Sequence, residues 1–338
     1  MEKDNSTKKW FIAKRNLKKL QKRTRRKKKL YIFTDISWRT ALRKNPRFIE
    51  IEAPANLTLK YEDVEEVLVF ISNIKKMGKK GFFIHLKLSN VIEIGEGAIA
   101  LLLSVISDLE RKRIFFKGEK PLHEHSKNTL ERSGFFEHMT GSVSKINSVS
   151  KNKILKTGGE KTDQKELGPQ IHNAMSTIWG VEGRCPALYG GLGEMMRNSC
   201  EHAFPLSSPI IWHLGISHFE EENCCKFSFV DNGQGIIKTY NEKGLLKIIV
   251  KYFKNNAEIL KLAFEDGITS RTGLSWRGKG LPTIYEMYLD NIITNLVVIT
   301  NDVYLDFDRK IYKKISTNFS GTYYFWKIDT TCEKLVFL

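Results

Sequence analysis

Glu194-Met-Met-Arg-Asn198-Ser-Cys-Glu-His202 is the stretch around which the second half of the chain can be read. Glu194, Asn198 and His202 recur at every fourth position, so on a helix they lie along one face. Met195, Met196 and Cys200 then fall at other angles, where they can pack inward. A carboxylate one turn from a carboxamide suits a magnesium–nucleotide site, because Asn can supply an oxygen ligand and Glu can orient or deprotonate a water. A surface helix with scattered polar residues has the same pattern, so the surrounding motifs decide between the two.

Three of them follow in order. Phe227-Ser-Phe-Val230 reads as an apolar strand that ends in Asp231-Asn-Gly233-Gln-Gly235. The two glycines let backbone turn tightly and approach a ligand, and the acid can accept a hydrogen bond from an exocyclic amine such as that of adenine. By itself D-N-G is also a common turn. Arg277-Gly278-Lys279-Gly280 leads into a helix through Tyr288, and glycine-rich backbone before a helix start favours anions. The spacing is not that of a Walker A loop. Last comes Gly321-Thr322, followed by the strand Tyr323–Ile328, where the Thr hydroxyl is placed to brace the buried acid.

Helix E-x-x-x-N, strand D-x-G-x-G, G-x-G before a helix and a late G-T strand fall within about 130 residues. This order resembles the GHKL, or Bergerat-fold, ATPase superfamily, which includes gyrase, mismatch-repair ATPases, sensor histidine kinases and anti-sigma factor kinases. The resemblance covers roughly residues 168–330 and implies an α/β sandwich that binds ATP and Mg2+. It implies that Glu194 is the general base and Asn198 the magnesium ligand. It implies that Asp231 reads the adenine amine, with Gly233 and Gly235 in the same loop, that Gly278 and Gly280 lie beside the phosphates, and that Thr322 lies near the adenine. His202 has a packing role by the same comparison. The 42 residues between Gly235 and Gly278 match the family's ATP lid. Leu245, Leu246, Ile249, Val250 and Phe253 can form an apolar helical face of that lid and 263–273 its mobile part; Ser270, Arg271 and Lys279 are candidate γ-phosphate contacts, though a solvated lid explains Arg271 equally well.

Upstream, Phe48-Ile-Glu-Ile-Glu alternates like a strand, and Val64, Val67, Leu68, Ile71 and Ile74 recur at helical spacing. Phe82–Leu86 reads as a buried strand, 97–111 as a helix and Ile114-Phe-Phe as a short strand. Such alternation predicts parallel strands covered by helices. Residues 83–107 look similar to a STAS-type domain, a likeness that extends over 45–138. In that family a phosphoacceptor Ser occupies a D-S-S-G-like loop. Here the loop is Ile94-Gly95-Glu96-Gly97-Ala98, with no hydroxyl at its middle positions. A packing and docking module is the expectation.

The domain plan is thus a basic arm over 1–29, a STAS-like domain over 30–139, a polar linker over 140–167 and a GHKL domain over 168–338. At about 100–200 residues per domain, 338 residues accommodate this plan. With 41% hydrophobic and 11% aromatic residues, a wholly disordered chain is excluded. The net charge of +17 is concentrated at one end: residues 1–29 hold fourteen Lys or Arg against two acids, the remaining 309 hold 41 against 36. Such an arm is either a solvated extension or a contact for nucleic acid or another anionic partner.

Five cysteines without a C-x-x-C fit neither a disulfide framework nor a zinc site. The most apolar stretch, Ala98–Ile106, is far shorter than the about twenty residues of a membrane span. The expectation is a cytoplasmic ATP-binding regulator, away from membranes, working on a protein partner and capable of forming a homodimer. Its activity is ATP hydrolysis or phosphoryl transfer to a protein serine. The alternative is a nucleic-acid-binding protein that uses the arm, with the ATP domain as a switch.

Overall fold

Alternation of apolar residues along the strands and their 3.6-residue spacing along the helices produce a mixed α/β architecture, seen in a computed structural model. It describes residues 48–79, 83–112, 114–136, 153–158, 167–181, 183–202, 211–242, 255–265 and 280–333. The arm over 1–29, the apolar lid face expected over 245–253, and Ser270, Arg271, Gly278 and Lys279 lie outside these residues.

The first region contains β1 (Phe48–Glu52), β2 (Asn56–Leu57), α1 (Val64–Lys79), β3 (Phe83–Lys87), β4 (Glu93–Ile94), α2 (Glu96–Arg111), β5 (Phe116–Gly118) and α3 (Glu124–Arg132). β1, β3 and β5 form a parallel sheet in that order, with Ile49 opposite Ile84 and Ile84 opposite Phe116. β2 and β4 form a separate parallel pair. The predicted parallel order is observed, and β5 starts two residues later than the apolar run suggests.

The second region opens with β6 (Lys153–Gly158), within the stretch expected to be linker. β6 pairs antiparallel with β7 (Ile211–Phe219), so part of that polar segment serves as an edge strand. Then follow α4 (Leu167–Trp179), α5 (Pro186–His202), β8 (Cys224–Asp231), α6 (Ile236–Glu242), α7 (Asn256–Glu265), α8 (Gly280–Leu289), β9 (Thr294–Asp306) and β10 (Ile311–Asp329). The sheet order is β6-β7-β8-β10-β9, antiparallel throughout.

Both faces of this sheet are covered. Trp212, Leu214, Phe227, Phe229, Val298, Tyr324 and Trp326 pack with α4, α5, α7 and α8. The alternate residues Val230, Val297, Ile299 and Tyr323 join a second core with α1 and α2. The two regions therefore bury a common core, and 48–338 is one compact unit. α2 shows why: Gly97 through Ser107 are all buried, and a helix apolar on every side needs cover on every side. α1 and strands β7 and β8 of the antiparallel sheet lie against α2, within a core that includes Ile84 and Leu86 of β3. Polar contacts fasten the edge of the contact. The Glu62 carboxylate accepts from Arg309 at 2.5 Å, Glu65 accepts from the Ser316 N–H and hydroxyl at 2.6 Å each, and the Lys75 ammonium donates to the Ser320 carbonyl at 3.2 Å.

Gly97 marks the closest approach. A Cβ there would overlap the Tyr323 hydroxyl, which stands on β10. Gly97→Val is expected to cost about 1–3 kcal/mol by overpacking, read as a lowered urea midpoint at unchanged slope. An unaltered midpoint would mean that α2 does not bear on β10.

Candidate functional site

α5 carries the first motif. Its Met195 and Met196 are buried in the core, which leaves Glu194 and Asn198 on the adjoining face, half-buried. Cys200 is half-buried, and His202 is the last residue of the helix. Arg197 donates to Glu194 Oε1 at 2.8 Å from the neighbouring turn. Gly191 lets α8 press close, since a Cβ there would strike Met287. The first residue of α8, Gly280, consequently stands over the polar pair: its Cβ would lie 2.8 Å from Glu194 Oε2 and 3.3 Å from Asn198 Nδ2. A side chain at this position would fill the space above both groups.

The second motif ends β8. Asp231 faces α5, is 3% exposed, and accepts from the Gly233 N–H at 2.8 Å. Thr322 pairs with it across β10, and its N–H and hydroxyl favour the charged carboxylate. Burial opposes them and pushes the Asp231 carboxyl up to about 6. Ser199, one residue after Asn198, supplies a second constraint. Its Oγ is 3.1 Å from both the Met195 carbonyl and Asp231 Oδ2. A hydroxyl has one proton, so it serves one acceptor at a time. When it donates to Asp231, it too favours the charged carboxylate.

That raised value gives a pH dependence with a definite sign. The folded chain holds this proton between about pH 4 and 6, where an exposed Asp has lost it. Its contribution to stability is full below that window and is lost as pH rises through about 6. Asp231→Asn removes the titration. Relative to this variant, the wild type should lose up to about 3 kcal/mol between pH 4 and 7.5 in urea unfolding. An equal difference at both pH values would refute the buried titration.

The glycines of the loop have separate reasons. Gly235 has φ +87°, and a Cβ on it would overlap the Asn301 amide. Gly321 has φ +142°, and a Cβ would strike the Asp231 carbonyl. This close approach is where β10 slips register against β9 before Thr322. The loop is braced by residues the motifs do not include. Asn301 donates to the Gln234 carbonyl at 2.8 Å, Thr300 accepts from the Ile236 N–H at 3.0 Å and donates to the Gly321 carbonyl at 2.9 Å, and Ser320 donates to the Gly233 carbonyl at 2.9 Å. The sequence signal for these is modest: Thr300-Asn301 interrupts an apolar run, and Ser320 adjoins the G-T pair.

The structure thus brings Glu194, Asn198 and Gly280 together, and Asp231, Ser199 and Thr322 together, with α5 joining the two groups. Among the described residues, Asn198 Nδ2, both side-chain polar atoms of Asn232 and the Tyr324 hydroxyl are buried without a hydrogen bond of good geometry. Tyr324 is held far above the usual phenol range by burial, then by Asp231 and Tyr240, with the nearby Asn198 amide opposing.

Ala263 and Phe264, expected at the start of a mobile lid segment, are the buried end of α7; Phe264 packs edge-on against Phe307 and Tyr324. Among the described residues no group of three or more His, Cys, Asp or Glu could hold a metal, and no helix is long and apolar enough to cross a membrane. The chain matches no protein-family model and no curated protein.

Proposed function

We propose that residues 167–333 form a Bergerat-type site for Mg-ATP and that the protein is an ATP-dependent regulator with slow hydrolytic activity. The observation that carries this reading is convergence. α5 places Glu194 and Asn198 under Gly280 at the start of α8, and its Ser199 against Asp231 at the end of β8, which pairs with Thr322 of β10. Asp231 and Thr322 form the base-recognition end. Asn198 and the first turn of α8 form the phosphate end, and Glu194 holds or deprotonates the water. The donor set suits magnesium that arrives with its nucleotide, since this ion is commonly held by one or two protein oxygens plus phosphates. Asn198 Oδ1 would be the protein ligand of such an ion, which would supply neutralisation of phosphate charge there.

The first region bears on hydrolysis versus transfer. Gly97 and Glu96 approach Tyr323, on the sheet face opposite to Asp231 and Thr322. The STAS-like loop offers no hydroxyl, which disfavours phosphoryl transfer to that loop. β10 presents Thr322 to one face and Tyr323 to the other, a direct connection between the proposed nucleotide site and the STAS-like region.

The test is a titration of the full chain with ATP and magnesium, followed on the same sample by phosphate release and a search for phosphorylated protein. Saturable binding with phosphate release supports the reading. Phosphorylated serine on this or an added protein would replace hydrolysis by transfer, and absence of binding would remove the ATP site.

A further inference from the structure

A cavity of about 840 Å³ opens where α4 and α5 begin. Its walls include Pro169, His172 and Asn173 of α4, Arg184 in the preceding loop of α5, and Pro186 and Tyr189 of α5 itself. The volume is within the about 300–1,000 Å³ of small-molecule sites. None of Glu194, Asn198, Asp231 or Thr322 lines it.

The lining is chemically one-sided. Among the described residues it holds a guanidinium, an imidazole, a carboxamide and a phenol, and no carboxylate. Arg184 is exposed, and no acid pairs with it among the described residues. The first turns of α4 and α5 likewise carry no acid. Gly168 brings the phenol in: a Cβ there would stand 2.7 Å from the Tyr189 hydroxyl. Burial raises the Tyr189 phenol above its ordinary value and Arg184 opposes this, so the hydroxyl keeps its proton and can donate. Two prolines and the Tyr189 ring supply flat apolar surface beside these donors.

We propose that this cavity is a second ligand site, for a small organic oxyanion whose carboxylate or phosphate is bound by Arg184 and the Tyr189 hydroxyl and whose apolar body lies against Pro169 and Pro186. Asn173 and His172 add donors at the rim. The site is independent of the nucleotide reading, since it uses none of the same residues.

The experiment titrates the full chain with inorganic phosphate, benzoate and phenyl phosphate, following the His172 ring protons by NMR, assigned with His172→Gln. Saturable shifts are expected, with phenyl phosphate tighter than inorganic phosphate because only the former has an apolar body. Arg184→Ala should weaken binding about tenfold or more, and Asp231→Asn should leave it unchanged. Tyr189→Phe, which keeps the ring, should weaken it several-fold and carries the test if Arg184→Ala fails to fold. The proposal is overturned by lack of saturation with all three probes, or by affinity equal to wild type in both cavity variants. It is equally overturned if binding is lost in Asp231→Asn and kept in Arg184→Ala, which assigns the anion to the nucleotide site. A response to a poly-glutamate peptide alone would make this a protein-docking surface instead.

Discussion

Asp231→Asn is expected to abolish detectable ATP binding while leaving the fold intact. The variant is well matched to its surroundings. Asn Oδ1 can still accept from the Gly233 N–H, and Asn Nδ2 can donate to Ser199 Oγ while that hydroxyl donates to the Met195 carbonyl instead of to residue 231. What changes is the edge offered to a ligand: an acceptor becomes a donor, and a negative charge disappears. An exocyclic amine then meets an N–H. Losing a charge-assisted hydrogen bond and leaving a buried donor unpaired costs about 3 kcal/mol, a roughly hundredfold loss of affinity. The same logic makes wild-type affinity fall as pH drops below about 6, where Asp231 takes its proton. Calorimetric titration of both proteins at pH 5 and 7.5 checks this. Wild-type affinity in the variant would sink the Bergerat assignment.

Glu194→Ala is expected to behave in the opposite way: binding kept, turnover lost. Glu194 lies under Gly280 and beside Asn198, at the phosphate end of the proposed site, and has no contact with Asp231. Removing a positioned general base typically costs about 10²–10⁴ in rate. Affinity should stay within about threefold, because ground-state binding draws on Asp231, Thr322 and the start of α8. Arg197 loses its partner in this variant, but it is exposed, so water takes the place of the carboxylate. Phosphate release under saturating ATP is the measurement. Persistent hydrolysis would remove Glu194 as base while leaving the binding site standing, so the two variants fail separately.

Much of this architecture is legible in local pattern. The strand at Phe48–Glu52, the helices starting at Val64 and Glu96, the polar face of α5 and the β8 strand ending in Asp231 follow from period and turn chemistry. Gly235 and Gly321 show in the sequence as glycines between structured runs, and their positive φ values give the physical reason. Other features are not legible because they depend on residues far apart in the chain. Ser199 looks like any helix serine until β8 brings Asp231 within 3.1 Å. Lys153–Gly158 has a linker's composition and becomes a strand because β7 offers it an edge. Ala263 and Phe264 fall in a segment suited to a lid, and Phe307 and Tyr324 make them core.

The sequence by itself determined the periodicities, the placement of charge in the first 29 residues, and the order of four motifs that carry acid, amide and glycine at ligand-competent spacing. Local propensity and steric rules act over a few residues, so they leave their mark in short stretches. Tertiary structure alone decided that α2 packs against the antiparallel sheet, that Gly280 stands over Glu194 and Asn198, and that Arg184, His172 and Tyr189 share a cavity. Those outcomes arise from burying apolar area between elements distant in sequence, a force that is roughly proportional to area and blind to direction. The close fit at Gly97, Gly191 and Gly280 then selects one arrangement among the many that burial alone would allow.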